Sequence, residues 1–118
     1  MKILLAGDQP LFLEGLQNLL ATRGYEVVTA ENGREALVKV QEFKSDVIFM
    51  NIFTRKSDGL EATRLIKAVI PECKVILLTS AEDDKSLGEA IKSGASGYLL
   101  KSLCAAELFD MLASLERG

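Results

Sequence analysis

The sequence predicts an α/β fold, a parallel sheet covered by helices on both faces. Short apolar runs alternate with helix-period stretches five times along the chain. The runs are apolar almost throughout, as strands buried on both faces must be. The breaks between them carry glycine, proline or asparagine where helices would begin or end. At 118 residues the chain is one domain, large enough to bury a core without disulfides or a structural metal.

The elements follow in order. The first run, Ile3–Ala6, leads to a helical stretch near 10–22, where Phe12, Leu16, Leu19 and Leu20 share one stripe. Gly24 follows as a C-terminal glycine. The second run is Tyr25–Thr29, and Asn32-Gly33 turns the chain into a second helix over 33–43. The third run, Val47–Met50, precedes a helix over 59–69 that Pro71 stops. The fourth, Val75–Leu78, precedes a helix over 83–93 followed by Gly94. The fifth, Gly97–Leu100, precedes a helix over 104–116 with Leu108, Leu112 and Leu115 on its stripe. Right-handed crossovers turn this (βα)5 succession into a doubly wound, flavodoxin-like sheet of order 2-1-3-4-5. Its switch point lies between strands 1 and 3, whose carboxyl ends carry Gly7-Asp8 and Asn51.

Composition narrows the function. Hydrophobic residues make up 48%, and the net charge of -3 does not suggest a nucleic-acid or membrane surface. The chain has no histidine, which excludes histidine acid–base catalysis, histidine metal ligands and a phosphohistidine of its own. Cys73 and Cys104 lack metal or redox spacing and read as small buried hydrophobes. Cys104 stands near a helix start, where a thiol pKa can fall, so a redox role is a lesser reading. The N-terminus leads straight into structure with no export-signal pattern, and no apolar run approaches a membrane span. The expected compartment is the cytoplasm.

Four loops converge on the switch point: Gly7-Asp8-Gln9-Pro10, Asn51-Ile52-Phe53, Thr79-Ser80 and Lys101-Ser102. Here the chain resembles the receiver domains of two-component response regulators. The stretches that carry the resemblance are Asp8-Gln9-Pro10-Leu11-Phe12 with Glu14-Gly15-Leu16, Asp58-Gly59-Leu60-Glu61-Ala62-Thr63, Val75–Ser80, and Gly94-Ala95-Ser96-Gly97-Tyr98-Leu99-Leu100-Lys101. The first, second and last are most similar to receivers that precede a helix-turn-helix output domain of the LuxR/NarL type. The likeness covers essentially the whole chain, so residues 1–118 are expected to form one receiver domain.

The resemblance implies a chemistry. In such domains an acidic pair after strand 1 holds Mg²⁺ together with an acceptor aspartate, and the metal neutralises charge as a phosphoryl group arrives from a partner histidine. A hydroxyl after strand 4 and a lysine after strand 5 then hold the phosphoryl oxygens. Position by position, Asp8 matches the second acid, Thr79 the hydroxyl and Lys101 the lysine. Phe53 would offer its backbone carbonyl to the metal, and Tyr98 matches the aromatic that rotates on activation. Gly7 stands where the first acid belongs, Asn51 at the acceptor, and Arg55 where a proline is usual. A carboxamide cannot form an acyl phosphate, and one remaining acid, Asp8, leaves Mg²⁺ binding weak or lost. No other cofactor is expected. An ion pair between Lys101 and Asp8, with Asn51 as hydrogen-bond partner, would take the metal's place.

Plainer readings stand beside these. Asp8 would serve as a cap of the first helix, Thr79 and Ser80 as caps of the fourth, and Tyr98 as a half-buried core aromatic. Glu82-Asp83-Asp84 reads as the charged start of a helix, and Arg55-Lys56 as a solvated loop. Phe109 and Met111 lie beside the last helix's stripe and read as core.

The expected function is therefore that of a pseudo-receiver, a signalling module and not an enzyme. It would act through a protein partner, or through self-association by its first and last helices or by the face of fourth helix, fifth strand and last helix. Direct nucleic-acid binding is not expected of it, although a longer parent chain would carry a DNA-binding output domain. One alternative is an ordinary receiver inactivated by an Asp-to-Asn substitution, against which Gly7 counts. Another is a flavodoxin-like enzyme or nucleotide binder, against which the carboxylate and proline of Gly7-Asp8-Gln9-Pro10 count.

Overall fold

Five strands form one parallel sheet in the order β2-β1-β3-β4-β5, as the sequence predicts. They are β1 (Lys2–Ala6), β2 (Glu26–Ala30), β3 (Val47–Asn51), β4 (Lys74–Thr79) and β5 (Gly97–Leu100). The computed structural model describes residues 1–7, 9–51, 56–79, 92, 94–100 and 104–117; for Asn51, 56–60, Thr79, Leu100 and Arg117 it describes the backbone alone. Among the described residues there are four helices: α1 (Pro10–Ala21), α2 (Gly33–Phe43), α3 (Lys56–Val69) and α4 (Ala105–Arg117). The helix expected over 83–93 falls almost wholly outside the described residues.

Side-chain alternation sends each central strand into two cores. Leu4, Ala6, Ile48, Met50, Val75 and Leu77 pack under α2 and α3 with Ala36, Val40, Ala62 and Ile66. Ile3, Leu5, Val47, Phe49, Ile76 and Leu78 pack under α1 and α4 with Leu13, Leu20, Leu108 and Leu112. Burying each large side chain contributes about 1.5–3 kcal/mol, so the three central strands dominate the stability. The deepest positions of α1 are Leu13 and Leu20; Leu13 was not on the expected stripe, whose Phe12, Leu16 and Leu19 are only partly buried.

Asp46 ties the amino ends of three strands. Its N–H donates to the Lys2 carbonyl (2.9 Å), its own carbonyl accepts from Lys74 N–H (3.0 Å), and Oδ2 accepts from Lys2 N–H (2.8 Å). These bonds set the starting register of β1, β3 and β4, and hence the level at which their carboxyl ends stop.

Helix boundaries follow local chemistry. Gly24, at φ +82°, closes α1: its N–H donates to the Ala21 carbonyl (3.0 Å), and Tyr25 N–H donates to the Leu20 carbonyl (3.4 Å). This is the paired bonding of a glycine-terminated helix. It also keeps Tyr25 in the turn, so β2 runs one residue later than the expected Tyr25–Thr29. Asn32 caps α2, its Oδ1 accepting from Glu35 N–H at 2.8 Å. Glu35 and Lys39 pair at 2.9 Å, and that hydrogen bond holds the Glu35 carboxyl below its usual range. Lys44 ends α2 in the left-handed region (φ 57°), a role that residue type does not announce. The third helix begins at Lys56 and not at 59, so Lys56 belongs to a helix and not to the expected loop.

Replacing the α2 cap tests the local account. Asn32→Ala is expected to lower stability by about 1 kcal/mol and Asn32→Gly by only a few tenths, read as shifts in the urea midpoint at constant m-value.

Candidate functional site at the carboxyl edge of the sheet

The topology fixes where a site belongs. The strand order reverses direction at β1, so a crevice opens beyond the carboxyl ends of β1 and β3. Asn51 is the last residue of β3 and pairs in register with Leu78 of β4. Thr79 ends β4 and pairs with Leu100 of β5. Gly7 follows β1, one position beyond the Ala6–Met50 pair, as Asn51 is one position beyond it on β3. Gly7 is buried, and its N–H donates to the Ala30 carbonyl of β2 at 2.9 Å. The backbone thus brings Gly7, Asn51 and Thr79 to one edge of three adjacent strands.

Asp8, Phe53, Lys101, Ser80 and Arg55 lie outside the described residues, as do Glu82, Asp83 and Asp84. The expected Lys101–Asp8 pairing falls there too. Tyr98 sits on β5 and is 44% exposed, outside both cores. Half-buried as expected, it does not join the core: β5 is an edge strand, paired among the described residues with β4. Glu31, which follows β2 at the same edge, is an exposed carboxylate that sequence reasoning did not single out.

The two cysteines differ. Cys73 is buried, and burial pushes its thiol up to about 11, against a smaller downward pull from Lys67. Cys104 is exposed, which corrects its reading as buried. It precedes α4, off the leucine stripe, and both its N–H and its Sγ lie 3.4 Å from Glu107 Oε1. Phe109 and Met111 pack against the core, as expected.

A profile of the response regulator receiver domain matches residues 3–113. The chain belongs to the response regulator receiver domain family. It is 38% identical over 120 residues to the transcriptional regulatory protein LnrK of Bacillus subtilis, across all of this chain and 54% of that protein. A two-component response regulator from Clostridium difficile superposes with a TM-score of 0.92 at 28% identity, covering 99% of this chain and 96% of that one. A LuxR-family response regulator from Aurantimonas superposes with a TM-score of 0.86 at 31% identity, covering 98% and 84%. The chain spans about half the length of the curated relatives it matches. Among the described residues no helix is long and apolar enough to cross a membrane.

The thiols give a test. In the native protein Cys104 is expected to react with a disulfide reagent at neutral pH and Cys73 only after unfolding. The folded Cys73 value lies above the ordinary 9.0, so the fold holds this proton more tightly than the unfolded chain does. The stability it contributes is present below 9.0 and is lost as pH climbs toward about 11. Cys73→Ala should flatten the stability–pH curve in that window. Tyr25, raised by its own burial and by the charge of Glu116, retains the remaining slope.

Proposed function

We propose that this receiver domain signals without phosphorylation of residue 51 and acts as a protein-interaction module. The observation that supports the reading is the backbone position of Asn51, the last residue of β3 at the switch point of the sheet. An aspartate there would present a charged oxygen nucleophile. The carboxamide is neutral, and its nitrogen lone pair is delocalised into the carbonyl, so neither atom can take a phosphoryl group and hold it as an acyl phosphate.

The donor set does not fit the metal that such domains use. Mg²⁺ wants carboxylate oxygens in near-octahedral geometry. Gly7 supplies no side chain and Asn51 no charge, which leaves Asp8 as the remaining acid of the matched positions. Phe53 would add a backbone carbonyl, too little to offset two lost carboxylates. In this reading Lys101 is satisfied by Asp8 and Asn51, and Thr79 and Tyr98 are remnants of a phosphoryl switch.

The domain is then a signalling component and not an enzyme. Its partners are a protein of the same signalling system or a second copy of itself. The face of α1 and α4 suits that role, since Leu11 on α1 is 83% exposed. The half-exposed Tyr98 favours the face of β5 and α4 as the other candidate. The name of LnrK describes a transcriptional regulator about twice the length of this chain, so a longer parent would supply a DNA-binding output domain.

Acetyl phosphate, or beryllofluoride with Mg²⁺, tests the reading. No adduct is expected on the wild-type chain, and the Asn51→Asp variant should label weakly or not at all because Gly7 remains. Gly7→Asp with Asn51→Asp should restore Mg²⁺-dependent labelling. An adduct at residue 51 of the wild-type chain would overturn the proposal. Robust labelling of Asn51→Asp alone would favour a receiver inactivated by one substitution.

A further inference from the structure

β2 is the outer strand on one side of the sheet, paired among the described residues with β1. Its Ala30 carbonyl accepts from Gly7 N–H and so faces β1. Backbone groups alternate sides along a strand, so those of Val28 face β1 as well, and the N–H and C=O of Val27 and Thr29 point outward. Such an outward row is a template for a further strand. The β-branched run Val27-Val28-Thr29 suits that pairing.

Both outward carbonyls are taken by side chains. Gln17 Nε2 of α1 donates to the Val27 carbonyl at 3.4 Å, and Lys39 Nζ of α2 donates to the Thr29 carbonyl at 2.6 Å. α1 packs on one face of the sheet and α2 on the other, so the two side chains reach the edge from opposite sides. Lys39 is itself aimed: Glu35 Oε1, one turn earlier, lies 2.9 Å from Nζ, and Glu35 N–H is held by the Asn32 cap. Exposed Glu26 adds a charge at the start of the strand.

We propose that Gln17 and Lys39 guard the β2 edge and close it to strand addition by a second copy of this chain. Two such edges have the same sequence, so without the guards they would pair about a two-fold axis into one continuous sheet. The guards leave self-association to the helical faces. The charged contact at 2.6 Å is the stronger guard, and the neutral one at 3.4 Å lies at the outer limit of a hydrogen bond. The inference goes beyond the proposed function and stands whether or not residue 51 is ever phosphorylated.

Amide hydrogen exchange of Val27 and Thr29, at low and high protein concentration, tests it on wild type, Lys39→Ala, Lys39→Ala with Gln17→Ala, and Arg34→Ala. In wild type and in Arg34→Ala, a charge control on the exposed side of α2, exchange at these two amides should not depend on concentration. In Lys39→Ala it should slow several-fold at high concentration, and in the double variant by about tenfold or more. Removing a lysine makes a chain of net charge -3 more negative, which opposes non-specific association. Concentration-independent exchange at Val27 and Thr29 in the double variant, with β1 and β3 amides still protected, would overturn the proposal. So would the same slowing in wild type or in Arg34→Ala. Lys39 is half-exposed, so Lys39→Ala alone decides the question if the double variant folds poorly.

Discussion

Burial of β1, β3 and β4 on both faces is the constraint on which the rest of this molecule depends. A strand with two buried faces cannot slip register by one residue without exchanging its two core sets. Asp46 reinforces the register by bonding to Lys2 and Lys74 at the amino ends. Because the strands start at a fixed level, they also end at one. That is how Gly7, Asn51 and Thr79, distant in sequence, come to share an edge. The position of Asn51 is thus a consequence of packing, independent of any chemistry at that edge.

In the proposed reading, this separation accounts for a chain that keeps a receiver fold while residue 51 holds an amide. The two cores are built from residues that take no part in phosphoryl transfer. Asn51 and Thr79 stand at strand ends, where substitution costs the core little. In the proposed reading a module of this kind keeps the surfaces by which receivers meet partners. On the same reading the chemical trigger would be absent and partner binding itself would set the state.

Much of the fold was legible in the sequence, because near-continuous apolar runs and helix-period stripes report burial directly. Gly24 and Asn32 were legible as well, since their roles are set by residue type. Other features were not. Lys44 adopts a left-handed cap that nothing in a lysine signals. The exposure of Cys104 and Tyr98 depends on a helix start and a sheet edge, which local pattern does not resolve. The Arg23–Phe109 and Lys74–Leu115 contacts join residues far apart in the chain, and no periodicity reveals them. At the site, sequence supplied the residue types and the structure supplied the shared edge of Gly7, Asn51 and Thr79. Asp8 and Lys101 remain readings of the sequence.

The central claim is that the carboxyl edge of this receiver no longer assembles a divalent-cation and phosphoryl site. The most direct measurement is a Mg²⁺ titration followed by the backbone amide resonances of Gly7, Asn51 and Thr79. The account predicts no saturable shift at millimolar Mg²⁺ in the wild-type chain, with saturation appearing once Gly7→Asp and Asn51→Asp are combined. Saturable millimolar binding at these three amides in the wild-type chain would contradict it.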